Sequence, residues 1–113
     1  MILRILMIAI SFCLLTACTG SAIQAYKQGN INYAQGDYHA AFLNYQIAAD
    51  GHVPAGEYAL GYMYYYGIGI SRDQSKVVLL MKHASIDYPP AKDAINMLQE
   101  RDPPQPWLLK LHL

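Results

Sequence analysis

The chain has 113 residues, of which 54% are hydrophobic and 14% are charged. A chain of this length forms one domain with a single core, which excludes a two-domain enzyme. Eight basic and eight acidic residues cancel to a formal net charge of zero, so the composition predicts no nucleic-acid partner. Ten tyrosines provide most of the aromatic surface, and a chain this rich in rings is expected to fold.

The N-terminal segment has the layout of a signal peptide. One basic residue, Arg4, precedes an apolar run over residues 5–15 that only Ser11 interrupts. This run is shorter than the roughly 20 apolar residues of a transmembrane helix, and it is typical of a signal-peptide h-region. Residues 15–18, with the sequence LTAC, resemble the lipobox of bacterial lipoproteins, whose cysteine becomes acylated. The resemblance implies lipidation at Cys18.

The predicted lipidation site also indicates a location. The residue after Cys18 is Thr19 and not Asp, and resemblance to Gram-negative lipoproteins then implies an outer-membrane protein of the bacterial cell envelope that faces the periplasm. Acyl chains such as palmitate on Cys18 would provide a firm anchor. The alternative is an ordinary secretory signal, which would leave Cys18 as a lone thiol in an oxidising compartment because Cys13 is removed with the signal.

The mature part of the chain is predicted to be all-α, because its apolar residues recur at helical spacing from Ser21 onward. The second helix is expected to start behind Asp37, a natural N-cap, and to stop at Gly51, and Pro54 is expected to open the third helix. The predicted helices are one around 23–33, one over 37–50, one over 54–66, one behind Asp73 and one behind Pro89-Pro90. The predicted organisation is a signal peptide (1–17), a lipidated linker (18–21), a helical repeat domain (22–101) and a Pro-rich apolar tail (102–113).

The helical part of the sequence repeats itself. Positions 36 residues apart match, namely Asp37, Ala41, Tyr45, Ala48, Pro54 and Ala55 with Asp73, Val77, Met81, Ala84, Pro90 and Ala91. Gly29 and Gly61 match at an offset of 32 residues, so residues 67–72 contain an insertion of four. A period in the thirties is typical of helical solenoids.

The repeat resembles a known family. Residues 48–55 (AADGHVPA), 60–64 (LGYMY) and 67–70 (GIGI), followed by Asp73, resemble the Sel-one-like repeat family, which is related to the tetratricopeptide repeats. The match covers roughly residues 36–98. It implies a short right-handed α-solenoid of antiparallel helix pairs, with about two and a half repeats and an apolar C-terminal tail.

A partner groove is predicted from the tyrosines of this solenoid. In such folds the first helix of each pair lines the concave face, and tyrosine suits a binding surface because it combines large area with few rotors and a polar tip. The predicted groove residues are Tyr26, Asn30, Tyr33, Tyr58, Tyr62 and Tyr65. The alternative, that most of these rings pack between helices, stays open at this point.

No catalytic, metal-binding or cofactor-binding residues are predicted. The four histidines, His39, His52, His83 and His112, fall on separate elements without an H-x-x-x-H pair, and the mature chain has no second cysteine, so a zinc site is not expected. The GIG sequence at 67–69 follows a helix and lacks a P-loop lysine, which argues against a nucleotide site. The chain is therefore predicted not to be an enzyme.

These features favour a non-enzymatic protein–protein interaction module, anchored to the membrane, whose partner is another envelope protein or peptide. The alternative is a cell-wall or polysaccharide-binding protein or hydrolase of the penicillin-binding Sel-one-like type. The resemblance disfavours this alternative, because those proteins carry paired cysteines in each repeat and this chain does not.

The open ends of so short a repeat array are expected to need a cover. A homodimer through the repeat ends is one possibility. The other is the tail, in which Trp107, Leu109 and Leu111 either fold back onto the last helix as a cap or bind a partner.

Overall fold

The structure, a computed structural model, describes residues 1–100 and Leu109, with the backbone alone for residues 9–19. The described part contains five α-helices and no strand. They are α1 (Ile2–Ala34), α2 (Tyr38–Asp50), α3 (Pro54–Tyr66), α4 (Gln74–Ala84) and α5 (Pro89–Gln99). The predicted all-α class is confirmed, and α2 to α5 begin within two residues of the predicted positions.

The first helix is much longer than predicted. It runs without interruption from Ile2 to Ala34 and therefore crosses the predicted boundaries at residues 17 and 21. Large apolar side chains at its start, such as Ile2, Leu3 and Ile5, are exposed. None of the helices in the described residues has both the length and the apolar character that a membrane span requires. The side chain of Cys18 lies outside the described part, so its lipidation stays a prediction.

Two aspartates start the second helix of each sequence repeat in the same way. The Asp37 carboxylate accepts a hydrogen bond from the Ala40 backbone N–H at 3.2 Å, and the Asp73 carboxylate accepts one from the Lys76 N–H at 3.2 Å. Each bond satisfies one of the backbone donors that a helix start leaves open. The predicted N-cap Asp37 is therefore present, and Asp73, behind which the fourth helix was predicted, caps α4 in the same way.

Consecutive helices pack against each other, from α1 on α2 to α4 on α5. The helix α3 lies at the centre, since every residue from Gly56 to Tyr64 is buried. A helix that is buried on all sides is mostly apolar on all sides. Leu60 and Met63 accordingly belong to the core, and Glu57 is the one charged residue in the buried stretch of α3.

The matched positions of the sequence repeat play equivalent structural roles. Tyr45 on α2 and Met81 on α4 are both fully buried. A Cβ built on Gly29 would lie 2.6 Å from the Tyr45 ring, and a Cβ on Gly61 would collide with the Met81 methyl group. Each glycine therefore lets one helix approach a large side chain of the next helix, in the α1–α2 pair and again in the α3–α4 pair.

Candidate functional site

The structure separates the six predicted groove residues into two groups. Asn30 and Tyr58 are buried, with 1% and 4% of their surface exposed. The Tyr45 hydroxyl donates a hydrogen bond to Asn30 Oδ1 at 2.8 Å, and the Tyr58 ring packs 5.3 Å from that of Tyr88. Tyr26 is half-buried, with its ring 6.2 Å from that of Tyr45. These residues contribute to packing between helices.

The other three predicted residues belong to a surface group that we call the tyrosine cluster. It comprises Tyr33, Tyr38, Tyr62, Tyr65 and Tyr66, from the end of α1, the start of α2 and the end of α3. The ring centroids form a chain of close pairs: Tyr33 to Tyr38 at 5.1 Å, Tyr33 to Tyr62 at 6.5 Å, Tyr62 to Tyr66 at 5.0 Å and Tyr65 to Tyr66 at 4.8 Å. Tyr38 and Tyr66 are about 40% exposed (42% and 39%), and Tyr62 is buried. The exposed rings of the cluster thus pack against rings that are less exposed.

The phenol of Tyr33 in this cluster is neutral at physiological pH. Burial raises the pKa of Tyr33 to about 12, and its neighbour Tyr62, which also shares a hydrogen bond with it, and Tyr38 add to the rise. A neutral phenol can both donate and accept hydrogen bonds. The cluster therefore combines ring area with uncharged polar groups.

The predicted tail contacts fall mostly outside the described residues. Trp107 and Leu111 lie outside the described residues, so their role as a cap or a partner contact stays a prediction. Leu109 is described, and it is half-buried and packed against the hydrophobic core.

A second site, which sequence reasoning missed, joins three polar side chains from different elements. His52 lies in the turn between α2 and α3, Glu57 in the first turn of α3 and His83 near the end of α4. His83 Nδ1 is 2.7 Å from Glu57 Oε1, and His52 Nδ1 is 3.8 Å from the same oxygen. The two imidazole centroids are 5.5 Å apart. We call this group the His–Glu–His cluster.

The turn that carries His52 has an unusual backbone. The Val53 N–H donates to the Ala48 carbonyl and the His52 N–H to the Ala49 carbonyl, the two bonds of a Schellman motif. In this motif the residue in the left-handed conformation is usually glycine, but here it is His52, with φ 58°. The helix does end at Gly51 as predicted, but Gly51 has a negative φ, and its lack of a side chain permits a close approach to Ala22.

The carboxylate of Glu57 is the fixed member of the cluster. Its side chain is 5% exposed, whereas those of His52 and His83 are 77% and 54% exposed. A buried carboxylate is costly unless it is paired and hydrogen-bonded. The short contact with His83 Nδ1 provides this pairing, and the N-terminal end of α3 provides favourable partial charge.

An open cleft of about 360 Å³ adjoins the His–Glu–His cluster. Besides the three cluster residues, its walls are formed by Ala49, Asp50, Leu79 and Leu80. Leu79 is 69% exposed, and Asp50 accepts a hydrogen bond from the Gln46 amide at 3.0 Å. The two exposed imidazoles can therefore be reached from solvent.

Sequence spacing could not reveal this cluster. The two histidines are 31 positions apart and have no motif in common, and only the stacking of α4 beside the α2–α3 turn brings them together. The one available signal was His52 itself, which stands where a helix C-terminus usually has glycine.

Comparisons with known proteins identify no relatives. No protein-family model matches the chain, and no curated protein or solved structure matches it either. The resemblance to the Sel-one-like repeat family therefore stays a prediction from the sequence.

Proposed function

We propose that this protein is a membrane-anchored lipoprotein that serves as a non-enzymatic protein-binding module in the bacterial cell envelope. Its scaffold in this proposal is a short right-handed α-solenoid of about two and a half repeats. The equivalent glycine contacts of the two helix pairs, Gly29 with Tyr45 and Gly61 with Met81, support a repeated architecture. The LTAC sequence ending at Cys18 supports the anchor.

The tyrosine cluster is the observation that carries the binding proposal. Tyrosine is enriched at protein interfaces because it buries a large ring and keeps a polar tip. The cluster packs two exposed rings, Tyr38 and Tyr66, against the less exposed rings of Tyr33 and Tyr62, respectively. Such a surface loses little side-chain entropy on binding, because the rings already hold one another in place. The partner in this proposal is another envelope protein or peptide.

Lipid attachment is tested by replacing Cys18 with serine. Cys18→Ser is expected to abolish labelling with a palmitate analogue. It should also move the protein from the membrane fraction to the soluble fraction, because the acyl chains on Cys18 provide the anchor in this proposal. Cys13→Ser is the matched control and should keep both the label and the membrane fraction. An unlabelled wild-type protein that still sediments with membranes would contradict the anchor.

Partner binding is tested by photo-crosslinking in intact cells. A photoreactive amino acid at position 66 is expected to yield one discrete crosslinked product, and the same group at the exposed Lys92 of α5 should not. Tyr38→Ala is then expected to reduce this product severalfold while leaving the melting temperature nearly unchanged, because the Tyr38 side chain is 42% exposed. Equal crosslinking at both positions, or none at position 66, would count against the proposed surface.

A further inference from the structure

We propose that the His–Glu–His cluster is a binding site for a divalent transition-metal ion of the zinc type. Each of its three side chains offers one potential ligand atom, and these atoms all lie within 4.8 Å of one another. Two imidazoles and one carboxylate form a donor set that suits zinc and related ions, and it differs from the all-oxygen sets that magnesium and calcium prefer.

The distances in the cluster are close to those that a bound ion requires. Ligand atoms at about 2.1 Å from a tetrahedral zinc ion are roughly 3.4 Å from one another. The His52 to Glu57 separation of 3.8 Å and the His83 to Glu57 separation of 2.7 Å lie on either side of this value. Changes of less than about 1 Å bring these two separations to the tetrahedral value. The histidine nitrogens, which lie within 4.8 Å of each other, would also have to move toward the ion.

The burial of the three residues fits this adjustment. Glu57 is almost fully buried, while both imidazoles are more than half exposed and therefore have more room to adjust toward an ion. The short His83 to Glu57 contact requires a proton between Nδ1 and the carboxylate oxygen, and a metal ion would take the place of that proton. The buried carboxylate of Glu57 thus already has a polar partner in His83, and a bound metal ion would contact both groups.

The backbone conformation of His52, which is left-handed, also bears on the proposed metal site. The left-handed backbone conformation is unfavourable for any residue that has a Cβ atom, whereas glycine adopts it readily. Such backbone strain is often found at functional sites. The His52 ring itself is largely exposed, so packing of the ring does not explain the choice of residue. A role as a ligand does explain it, because His52 Nδ1 lies 3.8 Å from Glu57 Oε1.

Three protein ligands leave one position of a tetrahedral ion open. Zinc sites closed by four protein ligands are structural, whereas sites with three protein ligands keep one position for water or another molecule. The adjoining cleft of about 360 Å³ gives a small molecule or a side chain of a partner access to this position. The site therefore goes beyond the proposed binding surface at the tyrosine cluster and does not depend on it.

The test measures zinc binding to the full chain in detergent micelles. Zinc chloride is expected to raise the melting temperature in a concentration-dependent manner, because an ion that binds only the folded state stabilises it. Magnesium chloride at the same concentrations should not. Cobalt chloride should produce the intense visible absorption of four-coordinate Co²⁺. A melting temperature that responds equally to magnesium and zinc would overturn the proposal.

His52→Gly separates binding from folding. This variant is expected to melt at a higher temperature than the wild type without zinc, because glycine removes the backbone strain, and to bind zinc at least about tenfold more weakly. Glu57→Gln keeps an oxygen acceptor for His83 but should also weaken zinc binding at least about tenfold. His39→Gln removes an exposed histidine at the opposite end of α2 and is the control. Undiminished zinc affinity in His52→Gly, or an equal loss in His39→Gln, would overturn the site.

Discussion

Replacement of Tyr45 by alanine is expected to lower the free energy of unfolding by about 3–5 kcal/mol, the usual cost of removing a large aromatic side chain from a core. The Tyr45 side chain is fully buried between α1 and α2, with its ring against Gly29 and near that of Tyr26. Burial raises its pKa, with smaller contributions from Tyr26 and Tyr33, which is consistent with a phenol that stays neutral inside the core. Urea denaturation followed by circular dichroism measures the effect.

Tyr45→Phe is the matched control for this substitution. It keeps the ring and removes only the hydroxyl that donates to Asn30 Oδ1 at 2.8 Å. A buried hydrogen bond of this kind contributes roughly 1 kcal/mol, so the loss in Tyr45→Phe should be less than half of that in Tyr45→Ala. Equal effects of the two substitutions would show that the hydroxyl, and not the ring, holds α1 against α2.

The helices of this protein could be predicted from the sequence because their signals are local. Asp37 caps α2 as predicted, α4 begins behind Asp73 as predicted, and α3 spans the predicted residues 54–66 from Pro54 onward. The full extent of α1 could not be predicted in this way. The predicted linker at 18–21 contains no proline to stop a helix, and α1 continues through these residues.

The two candidate sites differ in how far the sequence predicts them. Tyr33, Tyr62 and Tyr65 were predicted as groove residues from their place in the repeat, and their rings lie in one cluster, in which Tyr62 is buried. The sequence could not show that Asn30 accepts a hydrogen bond from the Tyr45 hydroxyl, because this bond depends on the close approach of α1 and α2. The His–Glu–His cluster depends on contacts across α4 and the α2–α3 turn, so no local pattern predicts it.

A second large effect is expected when Gly29 is replaced by alanine. The added Cβ would lie 2.6 Å from two carbon atoms of the Tyr45 ring, closer than real contacts allow. The ring is fully buried and hydrogen-bonded to Asn30, so it has little room to move. Overpacking of this kind costs about 1–3 kcal/mol, of which the higher helix propensity of alanine recovers up to about 1 kcal/mol. The expected net loss of stability is about 1–2 kcal/mol.

Gly61→Ala tests whether the rigid ring causes this loss. In the equivalent position of the α3–α4 pair, the new Cβ would meet the terminal methyl group of Met81, which is flexible and can turn aside. The net change for Gly61→Ala is therefore expected to stay below about 1 kcal/mol. Equal losses in the two glycine variants would contradict the distinction between the ring and the flexible side chain.

The equivalence of the two contacts allows a stricter measurement. Tyr45→Met gives the first helix pair the same partner that Gly61 has in the second pair, namely a methionine. In the Tyr45→Met background, Gly29→Ala is therefore expected to cost at least about 1 kcal/mol less than it costs in the wild type, a coupling typical of residues in direct contact. The free energies of unfolding of the four proteins in this double-mutant cycle provide the coupling. Additive effects would mean that Gly29 is required for a reason other than the Tyr45 ring, and the structural equivalence of the two helix pairs would lose its energetic basis.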